Sequence, residues 1–186
     1  MPHVPPLGPA LASCSLALVL AACGGGGESA PPAPAFADGV DIGCGDPAFR
    51  ADALRLLNDR RARGADCASE GVFAPAAPLA WNSRLEQAAY AHSADMATHD
   101  YFAHVAPDGS TPGDRIDAAG YRWSAVGENI AAGYPDVAAV VDGWISSPGH
   151  CANLMSPAFV DAGMACAANA ASRYGRYFTL DLAAPR

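Results

Sequence analysis

The chain has 186 residues, 51% of them hydrophobic and 8% aromatic, with a net charge of −8 and a pI near 4.8. This suits one globular domain with a real core and a solvated acidic surface. All eleven basic residues are Arg and they form no basic stripe, so no nucleic-acid partner is expected, because that binding needs clustered cations.

The first 22 residues carry no Asp, Glu, Lys or Arg. The apolar run from Leu16 to Ala22 is too short to span a bilayer and reads as the centre of an export signal over 1–22. Leu20-Ala21-Ala22-Cys23 resembles the lipobox of bacterial lipoproteins. That resemblance implies cleavage before Cys23 and a lipid on it. The chain would then be exported and held to the membrane by its acyl chains, at the outer membrane or the cell surface. Plain secretion is the alternative. Residues 23–42 are rich in Gly, Pro and Ala, have no apolar periodicity and read as a flexible tether. The folded domain is expected over 43–186.

Setting aside Cys14 and Cys23, four cysteines remain: Cys44, Cys67, Cys151 and Cys166. An even count in an exported chain points to disulfides. Cys44–Cys67 with Cys151–Cys166 is the favoured pairing, because each brackets one local unit. The rival, a zinc site built from them, lacks a Cys-x-x-Cys pair.

Asp46-Pro47 opens a first helix, with Phe49, Ala53, Leu56 and Leu57 at helical spacing and Gly64 as its stop. Ser83-Arg84-Leu85-Glu86 reads as a capping box. The second helix it starts has the stripe Leu85, Ala89, His92, Met96 and ends near Tyr101. Asp108-Gly109 marks a turn. Thr111-Pro112 starts a short helix ending at Gly120, Asp136 caps a fourth through Trp144, and a helical turn follows Pro148. Two strands close the chain, about 159–167 and 174–183. Helices first and strands late predict an α+β fold with a mostly antiparallel sheet.

Three residues carry candidate chemistry: His104, Glu128 and His150. Two imidazoles and a carboxylate could ligate a divalent metal such as zinc with one position left open. The same trio could move protons near neutrality. Asn129 either orients Glu128 or bonds the backbone, and Ser147 lies close to His150 in sequence. His92, on the apolar stripe, reads as a buried histidine bonded to the backbone. His99 reads as exposed, with Asp100 as a solvent partner. Arg115 should pair with a carboxylate, and Trp81, Trp123 and Trp144 read as core or near-core anchors and not as a sugar platform. No HExxH, Gly-x-Ser-x-Gly or Walker motif is present.

In order along the chain stand Leu57-Asn58-Asp59-Arg60-Arg61, Leu79-Ala80-Trp81-Asn82, Ala91-His92-Ser93-Ala94-Asp95-Met96, Phe102-Ala103-His104 and Gly127-Glu128-Asn129-Ile130. Trp144, Ser147-Pro148-Gly149-His150 and Asn153-Leu154-Met155 follow. From about residue 47 onward this series resembles the CAP superfamily of cysteine-rich secretory proteins, antigen 5 and pathogenesis-related 1, in its bacterial branch. The resemblance implies a three-layer α-β-α sandwich with a cleft of two His and two acids, which binds a divalent metal in some members. His104, Glu128 and His150 match three of the four. The second acid of eukaryotic members falls here at Ser147.

Three functions are compatible with these residues. The first is a binding or interaction module at the envelope, whose cleft takes a metal, a small ligand, a lipid or an envelope component. The second is a metal-dependent hydrolase of peptides or envelope polymers, with Glu128 as ligand or general base. The third is a structural protein whose cleft is vestigial. The missing acid at Ser147 and the lack of a hydrolase motif favour the first.

Overall fold

The structure, a computed structural model, describes Phe36 and residues 39–186. The export signal, Cys23 and most of the tether lie outside the described residues. Helix α1 spans Phe49–Arg61, and β1 (Ala65–Asp66) pairs with β2 (Val72–Phe73) in a small hairpin. Then come β3 (Ala80–Trp81), α2 (Ser83–His99), α3 (Pro112–Ala118) and β4 (Trp123–Ala132). Helices α4 (Val137–Ile145) and α5 (Pro148–Met155) precede β5 (Asp161–Ala168) and β6 (Arg176–Pro185).

The main sheet has the order β3-β5-β6-β4. Only β3–β5 is parallel; β5–β6 and β4–β6 are antiparallel. Strand β6 assigns the layers, because neighbouring side chains point to opposite faces. Phe178, Leu180 and Leu182 join the core formed with α1, α4 and α5. Tyr177 and Ala183 pack with α2, and Ser93 of α2 donates to Thr179 at 2.9 Å. The result is the expected α-β-α sandwich. At Gly163 the α2 backbone lies so close that an added Cβ would meet Glu86 N at 2.0 Å, so only glycine permits this approach of helix to sheet.

Local chemistry explains the helix ends. Thr111 and Asp114 form a true capping box on α3, and Asp136 caps α4 through Ala139 N. The box expected at Ser83–Glu86 is not what starts α2. Asn82 is the N-cap, accepting from Arg84 N at 3.0 Å, while Glu86 is buried and held by both ends of the Arg50 guanidinium at 2.8 Å. Helix α1 starts two residues beyond Pro47. Asp46 caps the preceding turn through Ala48 N instead. Asp100 ends α2 in the left-handed conformation and accepts from Arg173 N and Tyr177 OH, so it is a structural tie, and His99 pairs with Asp95.

The disulfides differ from the favoured pairing: they are Cys44–Cys166 and Cys67–Cys151. Cys151 lies on α5 and Cys166 on β5, in different layers. The segment before α1 runs along β5 instead, where Cys166 N donates to Ile42 O at 2.8 Å. The small hairpin packs on α5 and brings Cys67 to Cys151. Each bridge therefore joins distant segments, separated by 122 and 84 residues. Cross-links over such long loops take the most entropy from the unfolded chain.

Candidate functional site

Strand β4 was not evident in the sequence, yet it carries the centre of the site. In antiparallel register Glu128 faces Asp181 of β6. Opposed residues share a face, so both carboxyl groups lie on the α2 side. Glu128 uses both oxygens. Oε1 accepts from His104 Nδ1 at 2.7 Å and Oε2 from Arg115 at 2.7 Å. Arg115, on α3, also donates to the His104 and Ser110 carbonyls at 2.9 Å. One guanidinium thus fixes both the carboxylate and the loop that presents His104.

Helix α5 supplies the opposite wall. Ser147 is its N-cap residue, but the hydroxyl makes no capping bond and lies 3.0 Å from His150 Nδ1. Asn129 donates to His150 O at 3.0 Å and accepts from Asn153 Nδ2 at 3.0 Å, so it serves the α5 backbone and not Glu128. Asn153 also donates to Glu128 O, and Trp144 Nε1 to Ile130 O. Strand β4 is the sheet edge, and these two donors close its middle carbonyls. The predicted trio does converge: His104, Glu128, Ser147 and His150 line one open cavity of about 470 Å³, with Glu70 from the small hairpin on its rim. A second cavity of about 320 Å³ shares the Ser147–His150 wall and is otherwise lined mainly by Phe102, Tyr134, Trp144, Tyr174 and β4.

Burial, and then the neighbouring His104, lowers the pKa of His150, which keeps that ring neutral at pH 7. Burial also lowers His92, whose Nε2 donates to Ala103 O at 2.9 Å, leaving Nδ1 buried without a partner. Asp181 is buried, and among the described residues no donor lies in hydrogen-bond geometry to either of its oxygens. Burial first, then the Glu128 carboxylate, push its pKa well above the ordinary value. Asp181 thus faces Glu128 from the neighbouring strand, with burial and the nearby carboxylate both favouring its neutral form.

A zinc centre needs three protein lone pairs aimed at one point. Among the described residues His104 and His150 each keep one ring nitrogen free of protein partners, but Glu128 is 2% exposed and turned to the His104 ring and the Arg115 guanidinium, not to a point shared with both free nitrogens. Among the described residues no three His, Cys, Asp or Glu side chains are set to hold a metal. The trio does not fit as three ligands to one ion. Glu128 instead stands behind His104, fixing a proton on Nδ1 and turning Nε2 to the cleft.

Asp181, Glu70 and the aromatic wall went unnoticed in the sequence. For Asp181 a signal existed: Tyr177, Thr179, Asp181 and Ala183 alternate along a core strand, and a carboxyl in such a register needs an explanation. Of the three tryptophans, Trp144 is core. Trp81 and Trp123 are half-buried, and the Nε1 of each lacks a partner.

The chain is 36% identical over 87 residues to the uncharacterized protein YkwD of Bacillus subtilis, and 34% over 88 residues to the uncharacterized membrane protein YlbC of that bacterium. Each match covers 47% of this chain but only 34% and 25% of those proteins, so the chain spans at most about a third of their length. The fold is similar to that of an extracellular SCP-domain protein from Bacillus anthracis, with a TM-score of 0.56 and 28% identity over 72% of this chain and 40% of the other. Residues 54–182 match the cysteine-rich secretory protein (CAP) family, and the chain belongs to that family.

Proposed function

We propose that this protein is an exported binding module of the cell envelope, with the cleft between His104 and His150 as its ligand site and the lipid on Cys23 as its anchor. The commitment of both Glu128 oxygens carries this reading. A carboxylate bonded to a guanidinium and an imidazole is a positioning group. Its side chain is only 2% exposed and its charge is already matched by Arg115, so it is poorly open to water, and a hydrolase using Glu128 as general base or metal ligand is disfavoured. The imidazole edges remain to meet a ligand, beside a cavity of the size that holds small molecules. An extracellular relative and a membrane-protein relative support the envelope location, and no helix among the described residues is long and apolar enough to cross a membrane.

The test follows the His104 and His150 ring protons by NMR while solubilised envelope extract, and separately zinc, is added to the disulfide-bonded chain. Extract should shift both rings, and the shifts should vanish in His150→Ala. No shift from either addition overturns the reading. Zinc should bind more weakly than micromolar. Tighter binding that is lost in His150→Ala would overturn the role given to Glu128 and restore a metal centre.

A further inference from the structure

We infer that the ligand of this cleft is an uncharged glycan chain, stacked on the aromatic wall and hydrogen-bonded by the two imidazoles. The inference rests on the binding-module reading and adds the ligand class. The two cavities are one bipartite site, because Ser147 and His150 form a wall of both. One half is aromatic. Phe102 is 44% and Tyr174 40% exposed, their ring centroids 5.9 Å apart, so both offer apolar surface to a wet opening. Tyr134 extends that wall, and it can do so because α4 has glycine beneath it: a Cβ on Gly143 would meet the Tyr134 hydroxyl at 2.5 Å. The other half offers Ser147, Asn153 and the two rings, all uncharged or adaptable hydrogen-bonding groups.

Competing ligand classes fit less well. An added peptide strand would need the β4 edge, but its middle carbonyls are taken by Asn153 and Trp144. An acyl chain needs a closed apolar channel, whereas this wall is open and two of its rings carry hydroxyls. An anion would meet Glu70 on the rim of a chain with net charge −8. A cation would meet Arg173, whose guanidinium already lies 5.5 Å from the Tyr174 ring centre. A neutral ring with hydroxyls on its edge and an apolar face satisfies both halves.

The test is titration calorimetry of the disulfide-bonded chain with chitohexaose, cellohexaose and maltohexaose, and with chitobiose, cellobiose and maltose. A heparin hexasaccharide and oleate serve as anionic and lipid probes. At least one neutral hexasaccharide should bind, and better than its disaccharide. Tyr174→Ala and Phe102→Ala, both on half-exposed rings whose loss the fold should tolerate, should each weaken it about tenfold, or about 1.4 kcal/mol. The inference is overturned if none of the three neutral hexasaccharides binds, if heparin or oleate binds more tightly, or if both variants bind as the wild type does. Extract that shifts the histidine rings while no glycan binds would sink the glycan and leave the binding module standing.

Discussion

The two faces of strand β6 were built to different rules. Phe178, Leu180 and Leu182 enter a dry layer against α1 and α4, where the buried charge is fully served, since Arg61 donates to the carbonyls of Ala77, Leu154, Ser156 and Phe159, and the Nε1 of Trp81 at the layer's edge is the unpaired donor. On the other face lie Thr179, bonded to Ser93 of α2, and Asp181, beside Glu128 and Arg115. There, among the described residues, Asp181 Oδ1 and Oδ2, His92 Nδ1, Arg115 Nε and Trp123 Nε1 are buried without partners. Unpaired buried polar groups each cost on the order of 1–3 kcal/mol. One face holds the fold together. The other gives up stability to keep an acid, an arginine and two histidines near one edge strand, which is where site residues are expected to break the rules of a good core.

If that division is right, damage to the dry face should be larger and should leave His104 alone. Leu180→Ala is expected to cost about 3–5 kcal/mol in denaturant unfolding, since the side chain is fully buried and its cavity cannot collapse freely. The His104 ring signal of the folded variant should match wild type, whereas His150 should shift, because Asn129, opposite Leu180, holds its carbonyl. A shifted His104 ring would show that the two faces are not independent. On the polar face, Arg115→Met should cost less, about 1.5–3 kcal/mol, for the charged hydrogen bonds it removes. Its mark is elsewhere: the loop carrying His104 loses two carbonyl ties, so hydrogen exchange in residues 104–110 should speed up while β6 exchange stays unchanged. Equal acceleration in β6 would make Arg115 a plain stability residue.

The sequence made the dry face legible and the polar face only in outline. Of the stripes Phe49, Ala53, Leu56, Leu57 and Leu85, Ala89, His92, Met96, all are buried except Leu56, which is half-buried, because helical periodicity reports burial. His92 bonded to a backbone carbonyl, and Arg115 bonded to a carboxylate, also follow from residue type. The trio was visible through its family order, but the bonds within it were not. Glu128 looked like a ligand until Arg115, thirteen positions away, took its second oxygen. Strand β4 was missed because Trp123–Ala132 is rich in alanine and has only Val126 and Ile130 as β-branched residues, so its strand character comes from the partner β6. The disulfides were misassigned for the same reason: bracketing is a local argument and both bridges are non-local. The aromatic wall draws Phe102, Tyr134, Trp144 and Tyr174 from four separate segments, which no single window of sequence can display.

The finest test of the comparison is Asp181→Asn. Asn has the shape of the neutral acid, so the variant keeps the packing and removes only the titration. The folded-state pKa of Asp181 is raised, so its contribution is fully present below the unfolded value of 3.8 and is lost as pH rises through the folded value. Wild type should therefore fall behind Asp181→Asn as pH rises. Thermal unfolding should show no difference near pH 3.5 and a widening gain for the variant toward pH 8. His92 and His150 act in the opposite sense. Their lowered values give stability that is present above 6.5 and lost as pH falls, and this acid limb should be the same in both proteins. A variant equal to or less stable than wild type at pH 8 would mean that Asp181 is ionised in the fold. The polar face would then be a paired network and not a place where stability has been given up.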